Sequence, residues 1–304
     1  RPILPLYVSS VDSGNLAGHL LTLGSGLREQ ADERTFTPQV FAGLRDTVRV
    51  LRELARDNTA LAKLESELEN APSLLPAACA LLKRVTEQAT AIAAALANGA
   101  EEPGRWAQAL KRNCEEHLEE MLALAPWLAL PAHIRPRRRE ESSAAPASLA
   151  GKEEKRLPAS SAERLEEKLA QLDQAPTLRE VATADQWLGP LVEAALQDLP
   201  AEPARSRDEE KAHLTDLSRG LREASDIARQ RLLALETLAR QSDELAAMDF
   251  TFLFDTARDL FSTGFNVAER RNDASFYDLL ASEAHLCSYV AIALGQVPQD
   301  HWFS

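Results

Sequence analysis

Apolar residues recur every three or four positions through most of this chain, and this spacing limits its possible folds more than any other feature. The longest such run extends from Arg207 to about Ala247, with leucine and alanine near heptad spacing. A run of fewer than about six heptads that mixes Leu with Ala is typical of a helical hairpin or a bundle arm. Its predicted apolar stripe comprises Leu214, Leu217, Leu221, Ala224, Ala228, Leu232, Leu235 and Leu238.

The composition also favours a mainly helical protein. Ala, Leu, Glu and Arg dominate, whereas glycines number only 12 and aromatic residues make up 5% of the chain. A sheet-based enzyme would normally contain more Val, Ile, Gly and Tyr. Capping residues and prolines divide the remaining periodic stretches into shorter helices. These are predicted to run from about 16 to 29, 38 to 54, 59 to 68, 73 to 98, 103 to 124, 161 to 174 and 184 to 197.

We therefore expect five regions along the chain. Residues 1–30 form an N-terminal segment, 31–130 a helical region, 131–160 a flexible linker, 161–247 a second helical region with the long arm, and 248–304 the closing segment. The linker has no hydrophobic period and is rich in Ser, Ala and Pro. Its basic cluster at 135–139 is followed by glutamates, which favours a solvated loop over a docking site for an acidic partner.

Charge and cysteine usage exclude several classes of function. The net charge of −13 argues against a nucleic-acid backbone or an anionic membrane surface as the partner. Cys79, Cys114 and Cys287 lie far apart without zinc-site spacing, which indicates small buried side chains in a reducing compartment. His117 and His213 have no second ligand at a suitable helical spacing, and glycine-rich phosphate loops are absent. We expect no metal and no cofactor.

The ends of the chain and its hydropathy give two further expectations. No run of 18 or more apolar residues occurs, and no signal peptide is recognisable, so a soluble segment without direct membrane insertion is expected. The chain begins at Arg1 without a Met and stops at Ser304 without a polar tail. We expect it to be a fragment of something longer.

The pattern changes after Asp249, where clustered aromatic residues flank a turn at 255–258 and predict a short β-hairpin. Helical spacing then resumes from Phe276 to Leu294. On this predicted helix, Glu283 falls in the middle of the apolar stripe, among Leu279, Leu280, Leu286 and Cys287. An unpaired buried carboxylate is costly, so Glu283 is either a tuned catalytic acid or a structural acid satisfied by a neighbouring Arg or by water.

Carboxylate chemistry on sugars is the reaction type that fits the polar residues near Glu283. Glycoside cleavage or transfer needs two acids that flank the scissile bond, with aromatic and polar side chains that hold the sugar. The pattern does not show that the candidate residues meet in space. Besides Glu283 and His285, the candidates are Tyr7, Asp12, Asn15, Tyr277, Asp278 and Trp302.

Two blocks resemble the bacterial cyclic β-1,2-glucan synthases. One is YVSSVDSGNLAGHL at Tyr7–Leu20, and the other spans 249–303 with the runs FLFD, LFSTGFNV, DASFYDLLASEA and VPQDHWF. The resemblance implies a large protein of the bacterial inner membrane in which a glycosyltransferase module elongates the glucan, a middle module closes the ring by transglycosylation, and a phosphorylase-like module trims the chain. This chain is similar to the first part of the middle module, on the cytoplasmic side of the membrane.

The resemblance also implies a fold and a role for Glu283. The fold is all-α, part of an (α/α)6 barrel with a long helical hairpin or bundle insertion and one short β-hairpin. Glu283 is implied as one of two catalytic carboxylates, on the nucleophile side of a retaining transfer. The second belongs to a Trp-Gly-Ile-Ser-Glu type motif, which does not occur in residues 1–304.

Two functional interpretations follow. In the first, the chain is a fragment of the cyclising transglycosylase, inactive alone, with linear β-1,2-glucan and the other modules of the same polypeptide as partners. In the second, it is a helical scaffold or interaction module without a catalytic role, and Glu283 is a satisfied structural acid.

Overall fold

The computed structural model describes residues 4, 6–55, 58–97, 101–130, 160–199, 205–278 and 282–304. The predicted linker at 131–160 therefore lies outside the described residues except for Ser160. Within those ranges the helices are α1 Ser10–Gln30, α2 Gln39–Leu54, α3 Thr59–Glu69, α4 Leu75–Leu96, α5 Glu101–Leu124, α6 Ser161–Gln171, α7 Leu178–Ala182, α8 Ala184–Gln197, α9 Arg205–Ala246 and α10 His285–Ala293. The strands are β1 Tyr7–Ser9, β2 Phe254–Asp255, β3 Leu260–Ser262, β4 Gly264–Asn266, β5 Arg271–Asn272 and β6 Phe276–Tyr277.

The chain divides into two compact units. Unit 1 contains the described residues of Arg1–Ala31 and Leu233–Ser304, and unit 2 contains those of Asp32–Leu232. Helix α9 crosses the boundary, so its first part belongs to unit 2 and its last part to unit 1. The prediction of a mainly helical protein is confirmed.

Unit 2 is a set of amphipathic helices around one hydrophobic core. α2 packs against α3 and α5, α4 against α5, and α6 against α8. Of the apolar residues at helical spacing in α2, Phe41, Leu44, Val48 and Leu51 are buried, whereas Leu54 at the end of the helix is exposed. Glu65 is a buried acid of this unit, and the Arg49 and Arg52 guanidinium groups that bind it hold the pKa of its carboxyl below the usual range.

The predicted stripe of α9 is right only within unit 2. Leu214, Leu217 and Leu221 are buried there, whereas Leu238 is half exposed. In unit 1 the buried positions of α9 are instead Ala239, Ser242 and Ala246. The stripe changes because this part of α9 packs against different residues: a Cβ atom on Gly24 of α1 would lie 3.3 Å from the Ala239 carbonyl oxygen. Small side chains permit that approach.

Unit 1 contains two three-stranded antiparallel sheets, with the strand orders β1-β4-β5 and β2-β3-β6. The predicted hairpin is confirmed as the β2–β3 pair, in which Phe254 lies opposite Phe261. The Asp255 carboxylate accepts the Ala257 and Arg258 backbone N–H groups and so stabilises the turn. The expectation of a single hairpin is nevertheless wrong. β1 pairs with β4 from the other end of the chain, Val8 opposite Phe265, and strands of two or three residues are too short to leave a periodic pattern.

The helix predicted from Phe276 to Leu294 is also wrong over its first half. Phe276 and Tyr277 form β6, because their backbones pair with β3. A 3-10 turn occupies Ser282–Ala284, and α10 begins only at His285. Glu283 is exposed on that turn rather than buried in an apolar stripe. A wheel drawn through one continuous helix therefore assigns it the wrong surroundings, and Leu279 and Leu280 lie outside the described residues.

Glycines of α1 set the packing of unit 1. A Cβ atom on Gly14 would lie 2.4 Å from Cα of Cys287, and one on Gly18 would lie 2.7 Å from a methyl group of Leu286. Real side chains do not approach so closely, so α1 and α10 fit together only because Gly14 and Gly18 have a hydrogen atom in place of a side chain. Ala17, on the same face, is fully buried. The core around this contact comprises Ala17, Ala246, Phe250, Leu253, Phe261, Cys287, Val290, Ala291 and Val297.

Gly14→Ala is expected to destabilise the chain by about 1–3 kcal/mol, because its methyl group meets the backbone of α10. Gly26→Ala is the matched control in the same helix, since a Cβ atom there has no neighbour within 4 Å. It is expected to stabilise by about 0.5–1 kcal/mol through the higher helix propensity of Ala. Urea unfolding of the two variants measures both effects, and equal stabilities would contradict the packing described for α1 and α10.

Candidate functional site

A narrow crevice in unit 1 brings together several candidate residues. Tyr277, Asp278, His285 and Trp302 line it, so the structure unites four residues that the sequence could not connect in space. Asp278 is exposed, whereas Tyr277, His285 and Trp302 are half-buried. The remaining lining comes from Leu260, Phe261, Ala284, Ser288, His301 and Ser304. The crevice thus combines aromatic rings with a carboxylate and hydroxyl groups.

His301 forms part of the floor of the crevice and links three segments. Its Nδ1 lies 2.7 Å from the Asp259 carbonyl oxygen, and its Nε2 lies 2.8 Å from Oγ of Ser288. A carbonyl can only accept, so Nδ1 carries a hydrogen, and Nε2 of the neutral ring accepts the Ser288 hydroxyl. Phe254 and Phe261 meet the imidazole edge to face at 5.1 and 5.2 Å between ring centroids. The β2–β3 turn, α10 and the closing 3-10 turn Gln299–Phe303 are therefore held together at one buried residue.

Asp259 occupies the left-handed region with φ of 56°, which is unfavourable for a residue other than Gly, Asn or Asp. Its carbonyl oxygen accepts from His301, and its carboxylate accepts the Ser304 hydroxyl at 2.6 Å. The closing turn thus holds the end of the hairpin turn in place. The position of Trp302, between His301 and Ser304, is fixed by the same contacts.

Trp302 stands at the rim of the crevice with two ring neighbours. The His285 imidazole lies 5.7 Å from the indole, and the Tyr289 phenol lies 6.4 Å from it. Tyr289 is 62% exposed, which is unusual for a large aromatic side chain. His285 and Tyr289 are one turn apart on α10, so the helix presents both rings to Trp302.

Glu283 is placed by the start of α10. Its neighbours Ala284 and His285 line the crevice, and its exposed carboxylate belongs to the 3-10 turn that leads into the helix. α1 packs against both this turn and α10, so the backbone that carries Glu283 is supported by the glycine face of α1. Glu283 itself does not line the crevice. Its carboxylate is exposed and can reach a ligand, which a carboxylate in an apolar core cannot.

Tyr7 belongs to a polar cluster next to β6. Its hydroxyl donates to the Asp273 carboxylate at 2.5 Å, and the Thr263 hydroxyl donates to the same oxygen at 3.3 Å. Partial burial raises the pKa of the Tyr7 phenol, with further contributions from Asp273 and from Tyr277. The phenol ring packs on Gly264, where a Cβ atom would lie 2.4 Å from it. Tyr7 therefore lies within electrostatic reach of a crevice residue without lining the crevice.

Asp12 and Asn15 occupy the start of α1. The Asp12 backbone N–H donates to Oγ of the capping residue Ser9 at 3.2 Å, and the Asn15 carbonyl accepts from the His19 imidazole at 2.6 Å. Neither side chain lines the crevice. They lie on the helix that supports the Glu283 turn.

Cys287 is buried against α1, and burial raises the pKa of its thiol to about 12, so no thiolate nucleophile forms at neutral pH. Among the residues that the structure describes, no three His, Cys, Asp or Glu side chains gather as a metal ion would require. None of the described helices combines the length and the apolar composition needed to cross a bilayer.

Comparison with known proteins gives one informative match. No family model matches the chain. Along all 304 residues, however, the chain is 32% identical to the cyclic β-(1,2)-glucan synthase NdvB of Rhizobium meliloti (strain 1021). The chain is therefore similar to one segment of a cyclic β-(1,2)-glucan synthase. It spans 8% of the length of that synthase.

The family resemblance of the two motif blocks is thereby confirmed, and the similarity to the synthase extends through the helical region between them. Several residues in and around the crevice were not predicted from the sequence. Asp273 and His301 lie inside the runs DASFYDLLASEA and VPQDHWF without being singled out there, and Ser288 and Tyr289 lie between those runs. The sequence signal for all four is their position within the 249–303 block that resembles the synthases.

Tyr7→Phe is expected to remove a phenol that titrates above its ordinary value of 10.0, because the Tyr7 pKa is raised. The folded-state pKa exceeds the unfolded value of 10.0, so the stabilising contribution is complete below pH 10 and is lost as pH rises through the folded pKa. Phenolate absorbance titrations of the wild type and the variant measure this. If the phenol lost in the variant, seen as the difference between the two curves, titrates at or below pH 10.0, the surroundings described for Tyr7 are contradicted.

Proposed function

We propose that this chain is part of the transglycosylase module that closes linear β-1,2-glucan into rings in a cyclic β-1,2-glucan synthase, with Glu283 as one catalytic carboxylate. The observation that carries this proposal is the match over the whole chain to such a synthase, together with an exposed acid beside a crevice lined by Tyr277, Asp278 and Trp302. Aromatic faces and polar edges of this kind suit a pyranose ring.

The exposure of Glu283 supports a catalytic role because a nucleophile must reach the anomeric carbon of its substrate. Its turn is supported by α1 and continues into α10, so the carboxylate is carried by packed secondary structure rather than by a free loop. In this proposal Glu283 attacks the anomeric carbon, a glycosyl ester forms, and a hydroxyl of the same glucan then displaces Glu283 to close the ring. The second acid protonates the leaving oxygen and then deprotonates the incoming hydroxyl.

In the same proposal, α1 and α10 are helices of an (α/α)6 barrel, and unit 2 is the helical insertion. The segment works on the cytoplasmic side of the bacterial inner membrane, with other modules of the same polypeptide as its partners. Tyr7, Asp12 and Asn15 complete the substrate site from the first turns of the chain.

A scaffold role is the second candidate, and it applies best to unit 2. Its buried apolar residues form one core of packed helices, and the residues that line the crevice all belong to unit 1. Unit 2 then presents helices to other modules, while unit 1 holds the sugar site.

Residues 1–304 alone are expected to leave linear β-1,2-glucan unchanged. Two cooperating carboxylates are needed for the transfer, and the motif implied for the second one is not in this sequence. Incubation of the purified chain with linear glucan, followed by mass spectrometry, tests this. The appearance of rings or of shorter oligosaccharides would overturn the expectation.

In the complete synthase, Glu283→Gln is expected to lower ring closure roughly a thousandfold or more, because the amide cannot act as the nucleophile. Glucan elongation is the internal control, since it belongs to a different module. Glu269→Gln is the matched control variant: Glu269 is also exposed in unit 1 but pairs with Arg271 at 2.6 Å. A rate of ring closure by the Glu283 variant within about twofold of the wild-type rate would contradict the catalytic role of Glu283.

A further inference from the structure

We propose that Tyr289 and Trp302 form an aromatic platform that binds one glucose ring of the glucan at the mouth of the crevice. This inference rests on the proposed function and extends it to a residue that neither the motifs nor the family comparison singles out. The platform is defined by the Tyr289 and Trp302 rings, with the His285 imidazole beside the indole.

The Tyr289 and Trp302 rings lie close together at a steep angle. The centroids of Tyr289 and Trp302 lie 6.4 Å apart with an interplanar angle of 72°, so the two rings make an open corner rather than a closed stack. His285 lies on the indole at 5.7 Å with its plane tilted by 51°. A sugar ring can rest on one aromatic face while its edge meets the second ring.

The exposure of Tyr289 points to a ligand. A side chain that is 62% exposed leaves much of its apolar surface in water, although the neighbouring core of α10 buries Cys287 and Val290 almost completely. Covering the phenol with the C–H face of a sugar would remove that surface from water. The partly positive C–H groups of an all-equatorial glucose ring also match the negative face of an aromatic ring.

Polar groups next to the platform favour a neutral sugar over an apolar peptide. Asp278, Ser288 and Ser304 line the crevice beside Trp302, and their oxygens can meet the hydroxyl groups around a pyranose edge. A hydrophobic peptide would offer no hydrogen bonds to these oxygens. The net charge of −13 disfavours an anionic ligand in the same place.

The platform is rigid at its Trp302 end. His301 is buried and contacts both Ser288 and Asp259, and Ser304 donates to Asp259 from the other side of Trp302. The backbone on both sides of Trp302 is thus held before any ligand arrives, which reduces the entropy lost on binding. Tyr289 lies one residue after Ser288, so the same contacts also fix its backbone.

Isothermal titration calorimetry of the 304-residue chain with linear β-1,2-glucooligosaccharide tests the platform. Tyr289→Ala is expected to weaken binding by about two- to tenfold, as loss of one aromatic contact predicts. Tyr289→Phe retains the ring and is expected to bind like wild type. Phe303→Ala is the matched control, because Phe303 is 77% exposed in the adjacent turn but makes no ring contact with Trp302 in the described structure. Thermal melts of each variant check that the fold is retained.

The outcomes separate this inference from the proposed function. If wild type binds and Tyr289→Ala binds equally well, the platform is wrong while glucan binding by unit 1 stands. If wild type does not bind the oligosaccharide, glucan binding by this chain fails and the platform fails with it. If Tyr289→Ala leaves sugar binding intact but changes the sedimentation of the chain, the exposed ring serves a protein contact and the inference is overturned.

Discussion

The close approach of α1 to α10 is the constraint on which unit 1 depends. Gly14 and Gly18 lie one turn apart and let the backbone of α1 reach Cys287 and the side chain of Leu286. Two parts of the chain separated by more than 250 residues meet at this contact. The same helix begins beside β1, which pairs with β4, and its Ser10 backbone N–H donates to the Thr263 carbonyl at 3.3 Å. Helix packing and strand pairing therefore fix the start of α10, and with it the position of Glu283.

The sequence was most informative where burial is periodic. The stripes of α2 and of the first part of α9 were predictable because one face of each helix packs against a single core. The last part of α9 was not, since its neighbours change from the leucine-rich core of unit 2 to the small residues and glycines of α1. The strands outside the β2–β3 hairpin were not predicted either, because their pairing depends on partners that periodicity cannot identify.

At the candidate site too, the sequence identified residues but not the surroundings that the fold gives them. The motif blocks identified Tyr277, Asp278, Glu283 and Trp302, and the fold gathers Tyr277, Asp278 and Trp302 at one crevice next to the Glu283 turn. The helical wheel gave Glu283 the wrong environment because Phe276 and Tyr277 pair with β3 instead of continuing a helix. Glu283 is instead exposed to solvent. Its reactivity in the proposed transfer is then set by the bound sugar and the second acid rather than by burial in the core.

The central claim is that the glucan lies across the crevice with its anomeric carbon at Glu283, and a crystal structure with a bound linear β-1,2-glucooligosaccharide tests it most directly. The account predicts a sugar ring against Tyr289 and Trp302 and a Glu283 carboxylate oxygen within about 3.5 Å of an anomeric carbon. An oligosaccharide bound wholly on unit 2, or one whose anomeric carbons all lie far from Glu283, would contradict it.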